Sequence, residues 1–413
     1  MIAAIERMTG LNWKGQGPAF LVAGGHGAIH WIMATFYILV PFIREDLGLS
    51  YAEVGGFASV FFFASFAANA GSGALVDITG RRVLLQALAL VVGGAALMAM
   101  GLAEGVWLII GMLIFIGVTN NLWHPAAISY LSDRYPQNRG YVLSIHTLGA
   151  SFGDTFAPVM AGVLLVWMSW QFTATLSALP IFAMAAVLFL NLTGTGRKKA
   201  APDGADPQGG QQGMSGADYL QGILQLLKSG PVLGICLMAA FRSMAQNGLL
   251  FFLPLLMLDE LGFGSVLLGV ALMALQVGGM IAGPVAGTLS DRIGRRPVVL
   301  AGLAATTLVI AVIPAVALPA PFVGLLAVLG FTLFAVRPVI HSWSLDLAPR
   351  EMGGSAISLL FGAQAGFSAL VPIVGGIVAD TWGLGTVFFL LAGAMAVSTG
   401  IVYVLPSRKP VAA

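Results

Sequence analysis

Charged side chains are scarce in this chain. Asp, Glu, Lys and Arg together make up 9% of its 413 residues, whereas a soluble domain carries about 25%. Apolar residues account for 58% of the sequence. A water-soluble fold cannot cover its surface with so few charges, so most of the chain must face lipid. The net charge of +2 also gives no basis for a nucleic-acid partner.

Cysteine is almost absent, and the motifs of several chemistries are missing. The single cysteine, Cys236, excludes an intrachain disulfide and a thiolate metal cluster. The sequence has no nucleotide-binding loop, no nucleophile paired with a base and no paired catalytic carboxylates. We therefore predict that the chain is not an enzyme and needs no cofactor. Any work it performs must draw on an ion gradient, because it cannot use ATP directly.

Long apolar runs fill the remainder of the sequence. A bilayer core needs about 20 apolar residues per helix, and runs of that length recur along the whole chain. We predict an all-α membrane protein with an N-terminal six-helix bundle (1–192), a cytoplasmic linker (193–228) and a C-terminal six-helix bundle (229–413). The twelve predicted spans are 18–43, 52–76, 83–103, 105–131, 140–165, 170–192, 229–258, 265–289, 297–317, 319–347, 352–380 and 384–405.

The two halves of the chain repeat each other. The segment GALVDITGRR, residues 73–82, recurs as GTLSDRIGRR, residues 287–296, after the second span of each half. Other residues recur at nearly the same offset, including Asp133 with Asp346 and Pro158 with Pro372. Six spans is an even number, so both halves run the same way through the membrane. This is a parallel repeat.

The basic residues indicate the orientation of the spans. All but three of the 19 Lys and Arg residues fall on one side when the amino terminus is placed inside. Positive charge accumulates on the cytoplasmic side of membrane proteins. We therefore predict a multi-pass protein of the inner membrane with both termini in the cytoplasm.

The doubled Gly-x-x-x-Asp-x-x-Gly-Arg-Arg loop resembles the signature of the major facilitator superfamily. The resemblance covers the whole chain and implies a monomeric secondary transporter that works by alternating access. It also implies that Asp77, Arg81, Asp291 and Arg295 steady one transport state at the cytoplasmic gate. The first copy departs from the family pattern at Ile78, where a basic residue is common. The alternative is that these loops only anchor helices to anionic headgroups.

A second likeness concerns the fourth and fifth spans. His124-Pro125, followed by a fifth span with Gly149, Gly153 and Gly162, resembles the fosmidomycin-resistance group of efflux carriers. This likeness implies export of a small drug-like compound.

Ionisable side chains recur inside the predicted spans, where each costs about 2.5–3.5 kcal/mol on insertion scales. Several stand four residues apart on one helical face. The superfamily resemblance implies that the first, fourth, seventh and tenth spans line a central cavity. The residues in question are His26, His30, His124, His146, Asp154, Arg242, Arg337 and His341.

The arginines point to an anionic substrate. Arg stays protonated and binds carboxylate or phosphonate through two parallel hydrogen bonds. We predict substrate-binding roles for Arg337 and Arg242, and for the polar or aromatic neighbours His30, His124, His341, Gln246, Asn120 and Tyr37. The alternative is that each arginine binds a carboxylate or helix-end carbonyls and only stabilises the packing.

Asp154, His124 and His146 are the candidates for proton coupling. A carboxyl or imidazole group inside the membrane can load and release a proton as access alternates. The alternative is that they are hydrogen-bonded packing residues. His26-x-x-x-His30 also has the spacing of zinc ligands, but no cysteine or acidic cluster accompanies it, so we predict no metal site.

Three functions follow from these residues. The first is proton-coupled export of a small, anionic organic compound or drug. The second is uptake of an organic anion, such as a carboxylate, together with protons. The third is a membrane sensor that retains the fold and does not transport.

Overall fold

The computed structural model describes residues 12–193, 226–348 and 353–406. Within these ranges every regular element is helical, and twelve helices are long and apolar enough to cross a membrane. This confirms the predicted all-α membrane fold. The helices are α1 (Gly17–Asp46), α2 (Tyr51–Thr79), α3 (Arg82–Met100), α4 (Val106–Arg134), α5 (Arg139–Trp167), α6 (Trp170–Ser177), α7 (Leu179–Thr193), α8 (Gly230–Leu255), α9 (Ser265–Ile293), α10 (Arg295–Val312), α11 (Pro319–Leu347), α12 (Gly353–Trp382) and α13 (Leu384–Val404).

The sixth and seventh spans are less regular than the sequence predicts. The sixth span consists of α6 and α7, which are separated at Ala178. Pro180 follows the break, and it has no N–H to donate to the preceding turn. The seventh span begins as α8 and continues as a π-helical turn, Leu256–Glu260, just after Pro254. Proline therefore accounts for both local irregularities.

The described residues form two compact units. The first combines the chain up to Lys199 with the segment Met257–Met273, and the second combines Ala200–Leu256 with Ala274–Ala413. In the first unit α1 packs along α5, and in the second α8 packs along α12. These are the first and fifth spans of each half. Most of the predicted linker, residues 194–225, lies outside the described residues.

Helices α1 and α5 approach each other to backbone contact. A methyl group built on Gly149 would lie 2.0 Å from the Ala23 carbonyl oxygen, and one on Gly153 would lie 2.1 Å from that of Gly27. Both distances are far below van der Waals contact, so only glycine fits. Small residues allow this close packing between helices in lipid. It fixes the distance between the histidines of α1 and the polar residues of α5.

We expect Gly149→Ala to lower the stability of the protein, because the added methyl group must push α1 and α5 apart. Overpacking of this kind costs about 1–3 kcal/mol. Thermal unfolding in detergent measures the effect. Gly111→Ala on α4 is the matched control, since a methyl group there meets no atom within 4 Å. Equal unfolding temperatures for the two variants would refute the close-packing explanation.

The motif glycines shape the loops that follow the second span of each half. Gly80 ends α2 in the left-handed region at φ 61°, and Gly294 precedes α10 at φ 95°. Positive φ is favourable for glycine and strained for other residues. Each glycine thus allows the chain to reverse direction immediately before the arginine pair that follows it.

Candidate functional site

Four of the five histidines meet in the first unit, where α1, α4 and α5 pack together. His26 is 5% exposed and His146 is 4% exposed. Their rings stack with centroids 3.7 Å apart and planes inclined by 11°. His30 and His124 lie edge-on to His26, with centroid distances of 4.7 and 5.1 Å. We call the group His26, His30, His124, His146 and Asp154 the histidine cluster.

The hydrogen bonds of His26 and His124 decide their tautomers. Nδ1 of His26 lies 2.7 Å from the backbone oxygen of His146, and Nδ1 of His124 lies 2.8 Å from that of Asn120. A carbonyl oxygen only accepts hydrogen bonds, so each Nδ1 must carry a hydrogen. The two Nε2 atoms face each other at 3.3 Å.

His30 lies within hydrogen-bond distance of the Asp154 carboxylate. Its Nδ1 lies 3.0 and 3.1 Å from the two carboxylate oxygens. The side chains are 27% and 26% exposed, respectively. The sequence grouped Asp154 with His124 and His146 as candidates for proton coupling and gave His30 a substrate-binding role. The structure instead places His30 against the carboxylate.

The other predicted residues of the first unit surround this cluster. His146 Nε2 accepts a hydrogen bond from the Trp123 indole at 3.4 Å, since an indole N–H only donates. Tyr37 lies on α1 within electrostatic range of Asp154. Asn120 contributes its backbone oxygen to His124. The role of His146 in proton coupling stays a prediction.

The cluster has room for a small cation. One ring nitrogen from each of His26, His30 and His124 lies within 4.8 Å of the others. Imidazole nitrogens bind protons and, at similar spacing, transition-metal ions. Sequence reasoning noted the His26-x-x-x-His30 spacing but did not find this convergence, because His124 comes from another helix.

Arg242 is buried in the second unit, where it is 3% exposed. Its Nη2 donates to Gln246 Oε1 at 2.8 Å and to the Leu333 backbone oxygen on α11 at 2.9 Å. Its Nε is buried without a hydrogen-bond partner. The ion pairs found among the described residues do not include Arg242. Within the described part of the chain, this cation therefore has helix contacts and no carboxylate partner.

Arg337 and His341 lie near Arg242. Arg337, on α11, is exposed and within electrostatic range of both Arg242 and His341. The His341 ring meets Phe361 edge-on, with centroids 5.3 Å apart. The structure thus brings together four of the predicted binding residues, Arg242, Gln246, Arg337 and His341, in the second unit.

The repeated loops form one ion pair in the same place in each unit. Arg295 contacts Asp291 and, at 3.4 Å, Asp346 at the end of α11. In the first unit the equivalent contact joins Arg82 to Asp133. Asp77 and Arg81, which the motif suggested, are exposed. The two motif copies are 214 residues apart, whereas Arg82 and Asp133 lie 213 residues before Arg295 and Asp346. The ion pair therefore uses the second arginine of the motif in the first unit and the first arginine in the second unit.

A polar contact at the end of α1 was missed by sequence reasoning. Within the first unit, Arg44 lies 3.3 Å from Asp259 and 4.0 Å above the ring of Tyr51, and the Tyr51 hydroxyl donates to Asp259. Arg44 is one of the three basic residues that the predicted topology does not place on the cytoplasmic side. Its partner is more than 200 residues away, and no motif marks it.

An apolar cavity of about 440 Å³ lies between α1, α5 and the sixth span. Its walls include Gly27, Trp31, Gly149, Phe152 and Met184. None of the predicted binding or coupling residues lines it. The charged groups of the histidine cluster and this cavity therefore occupy different parts of the first unit.

The comparison with known proteins decides the family. A profile of the Major Facilitator Superfamily matches residues 22–365 and again residues 235–413. The chain belongs to this superfamily. As a superfamily member it is a transporter and not an enzyme, and its twelve spans make it a multi-pass membrane protein.

Similar proteins are found among both sequences and structures. The chain is 24% identical to the multidrug resistance protein MdtG of Rahnella sp. over 91% of each chain. It is 25% identical to MdtG of Yersinia enterocolitica over 92% of this chain and 91% of the relative. Among solved structures, a bacterial homologue of the human lysosomal transporter Spinster superposes with a TM-score of 0.74 at 14% identity, covering 96% of each chain. That structural likeness establishes the major facilitator fold.

Proposed function

We propose that this superfamily member exports a small anionic organic compound in exchange for protons, by alternating access. The multidrug resistance proteins to which it is similar over more than nine-tenths of its length support export of a drug-like compound. We place it in the inner membrane as a monomer with both termini in the cytoplasm, following the distribution of its Lys and Arg residues.

The proposal of an anionic substrate rests on Arg242, whose buried guanidinium contacts no carboxylate among the described residues. A buried guanidinium without a carboxylate is costly unless a negative charge reaches it. Its Nε–H is unsatisfied inside the second unit, and Arg337 adds a second cation nearby. An entering carboxylate or phosphonate would supply the missing charge and accept bidentate hydrogen bonds.

The histidine cluster supports proton coupling. Asp154 and His124 belong to a group of ionisable side chains inside the membrane, where such residues mark proton relays. Each elementary charge that crosses the membrane releases about 2.3 kcal/mol per 100 mV. That energy is enough to drive expulsion of a solute against a modest gradient.

The repeated loops keep a proposed gating role. In the second unit the contacts of Arg295 with Asp291 and Asp346 support this role. In the first unit we assign it to Arg82 and Asp133, because that ion pair takes the place of Asp77 and Arg81. Such pairs hold helix ends together until a conformational change separates them.

Inverted membrane vesicles test the function. Respiration acidifies their interior, so an antiporter should accumulate labelled fosmidomycin, an anionic phosphonate, as protons leave. We expect accumulation that a protonophore abolishes, relative to vesicles without the protein. The cation ethidium is the charge control and should not accumulate.

Two results would contradict the proposal. Accumulation of fosmidomycin in right-side-out vesicles after external acidification would indicate uptake with protons instead of export. Accumulation of ethidium without fosmidomycin in inverted vesicles would be consistent with export and would refute the proposal that the substrate is an anion.

A further inference from the structure

We infer that His26 and His124 hold a single proton between their Nε2 atoms, and that this is the proton exchanged during transport. The exchange of this proton during transport rests on the proposed function, whereas its place between the two rings rests on the geometry of the cluster. Sequence reasoning gave His26 no role in coupling, so the proposal adds it to the transport machinery.

The argument begins with the two Nδ1 atoms. Each faces a backbone oxygen, at 2.7 Å for His26 and 2.8 Å for His124, and therefore carries a hydrogen. In a neutral imidazole the second nitrogen then bears a lone pair. Two neutral rings would point two lone pairs at each other across 3.3 Å. One shared proton converts this repulsion into a charge-assisted hydrogen bond.

The charges around the pair favour one proton. The titratable groups that face it are His30 from α1 and His146 from α5, and Asp154 from α5 contacts His30, with Tyr37 near the carboxylate. His146 accepts from the Trp123 indole through Nε2. With a neutral His30 donating to Asp154 through Nδ1–H, one proton on the pair and the negative charge of Asp154 sum to zero, and neutrality matters where charges are poorly solvated.

A transition-metal ion is the competing occupant of the same nitrogens. A divalent ion beside one carboxylate would leave a net positive charge inside the membrane, which is costly. The single proton is therefore the occupant that the charge balance favours. Elemental analysis of the purified protein separates the two occupants.

Histidine-selective ¹⁵N NMR of the full chain in lipid nanodiscs tests the proposal. We expect both Nδ1 atoms to be protonated and the two Nε2 resonances to lie between the positions of protonated and bare nitrogen. His26→Gln should abolish that shared signal and shift the His124 Nε2 resonance to the bare position. His146→Gln should retain it, because the anchor of His26 at position 146 is a backbone oxygen.

Three outcomes would overturn the inference. They are two bare Nε2 resonances over the pH range in which the protein stays folded, loss of the signal on treatment with a chelator, and one equivalent of zinc, nickel or copper in the purified protein. Failure of the proposed function is distinguishable. A shared-proton signal without proton-driven export in vesicles would refute exchange, and export without the signal would refute the site.

Transport provides a second readout. His26→Gln should lose proton-driven accumulation of fosmidomycin by at least about tenfold, the equivalent of 1.4 kcal/mol, while it still exchanges labelled for unlabelled fosmidomycin across the membrane. A structural role would lower both activities together. Full proton-driven accumulation by His26→Gln would also refute the proposal.

Discussion

Asp154→Asn is expected to reduce proton-driven export of fosmidomycin by at least about tenfold. Asparagine has nearly the same shape but cannot ionise, so His30 loses its anionic partner. A hydrogen bond to a charged group contributes about 1.5–3 kcal/mol when it is buried. The side chains here are about a quarter exposed, which reduces that contribution. A tenfold loss of export corresponds to about 1.4 kcal/mol, which is a plausible size for a partly exposed contact.

The measurement is accumulation in inverted vesicles, with exchange of labelled fosmidomycin as a second assay. Asp46→Asn is the matched control at the end of α1. Its carboxylate accepts from Trp170 and Gln171 at 2.9 and 2.8 Å, and an amide oxygen can accept the same bonds. Asp154→Asn should retain exchange and lose only the proton-driven process. Unchanged accumulation in this variant would show that the carboxylate does not couple transport to protons.

Arg242→Gln is expected to raise the fosmidomycin concentration needed for half-maximal export by at least about tenfold. The substitution removes the cation that the anion would meet, and hydrogen bonds to charged groups contribute about 1.5–3 kcal/mol each. Arg242→Lys should fall in between, since lysine keeps the charge and loses the bidentate geometry. The concentration dependence of export in vesicles measures both effects.

Arg296→Gln controls for the loss of a guanidinium contact in the same unit. Arg296 donates to the Tyr403 backbone oxygen, much as Arg242 donates to that of Leu333. If Arg242 only stabilises helix packing, both variants should lose thermal stability and keep their concentration dependence. That result would support the structural alternative and remove the main argument for an anionic substrate.

The spans were predictable because each depends on local hydropathy. A run of apolar residues of bilayer length forms a helix wherever it lies, since lipid leaves its backbone no other partner. The doubled loop was predictable because its motif is local, and its glycines permit the positive φ found at Gly80 and Gly294. The irregularities of the sixth and seventh spans lie beside Pro180 and Pro254, but the sequence analysis did not predict them.

The contacts of the cluster were not predictable, because they depend on how helices are rotated against each other. Helical spacing placed His26 and His30 on one face but could not choose between His146 and Asp154 as their neighbours on α5. The choice is made by the backbone contact of Gly27 with Gly149 and Gly153. Likewise, two adjacent arginines at 81 and 82 point in different directions, and hydropathy cannot say which one reaches Asp133.

The anchors of the two imidazoles are main-chain oxygens, at positions 146 and 120. A side chain can be replaced, but a carbonyl is present whichever amino acid occupies the position. Mutational scanning of those two positions would therefore leave the tautomers of His26 and His124 unchanged, whatever it reveals about the side chains of His146 and Asn120. The carbonyls that set the proton's place would be invisible to such a scan, and only shifts of the helix backbone would reveal them.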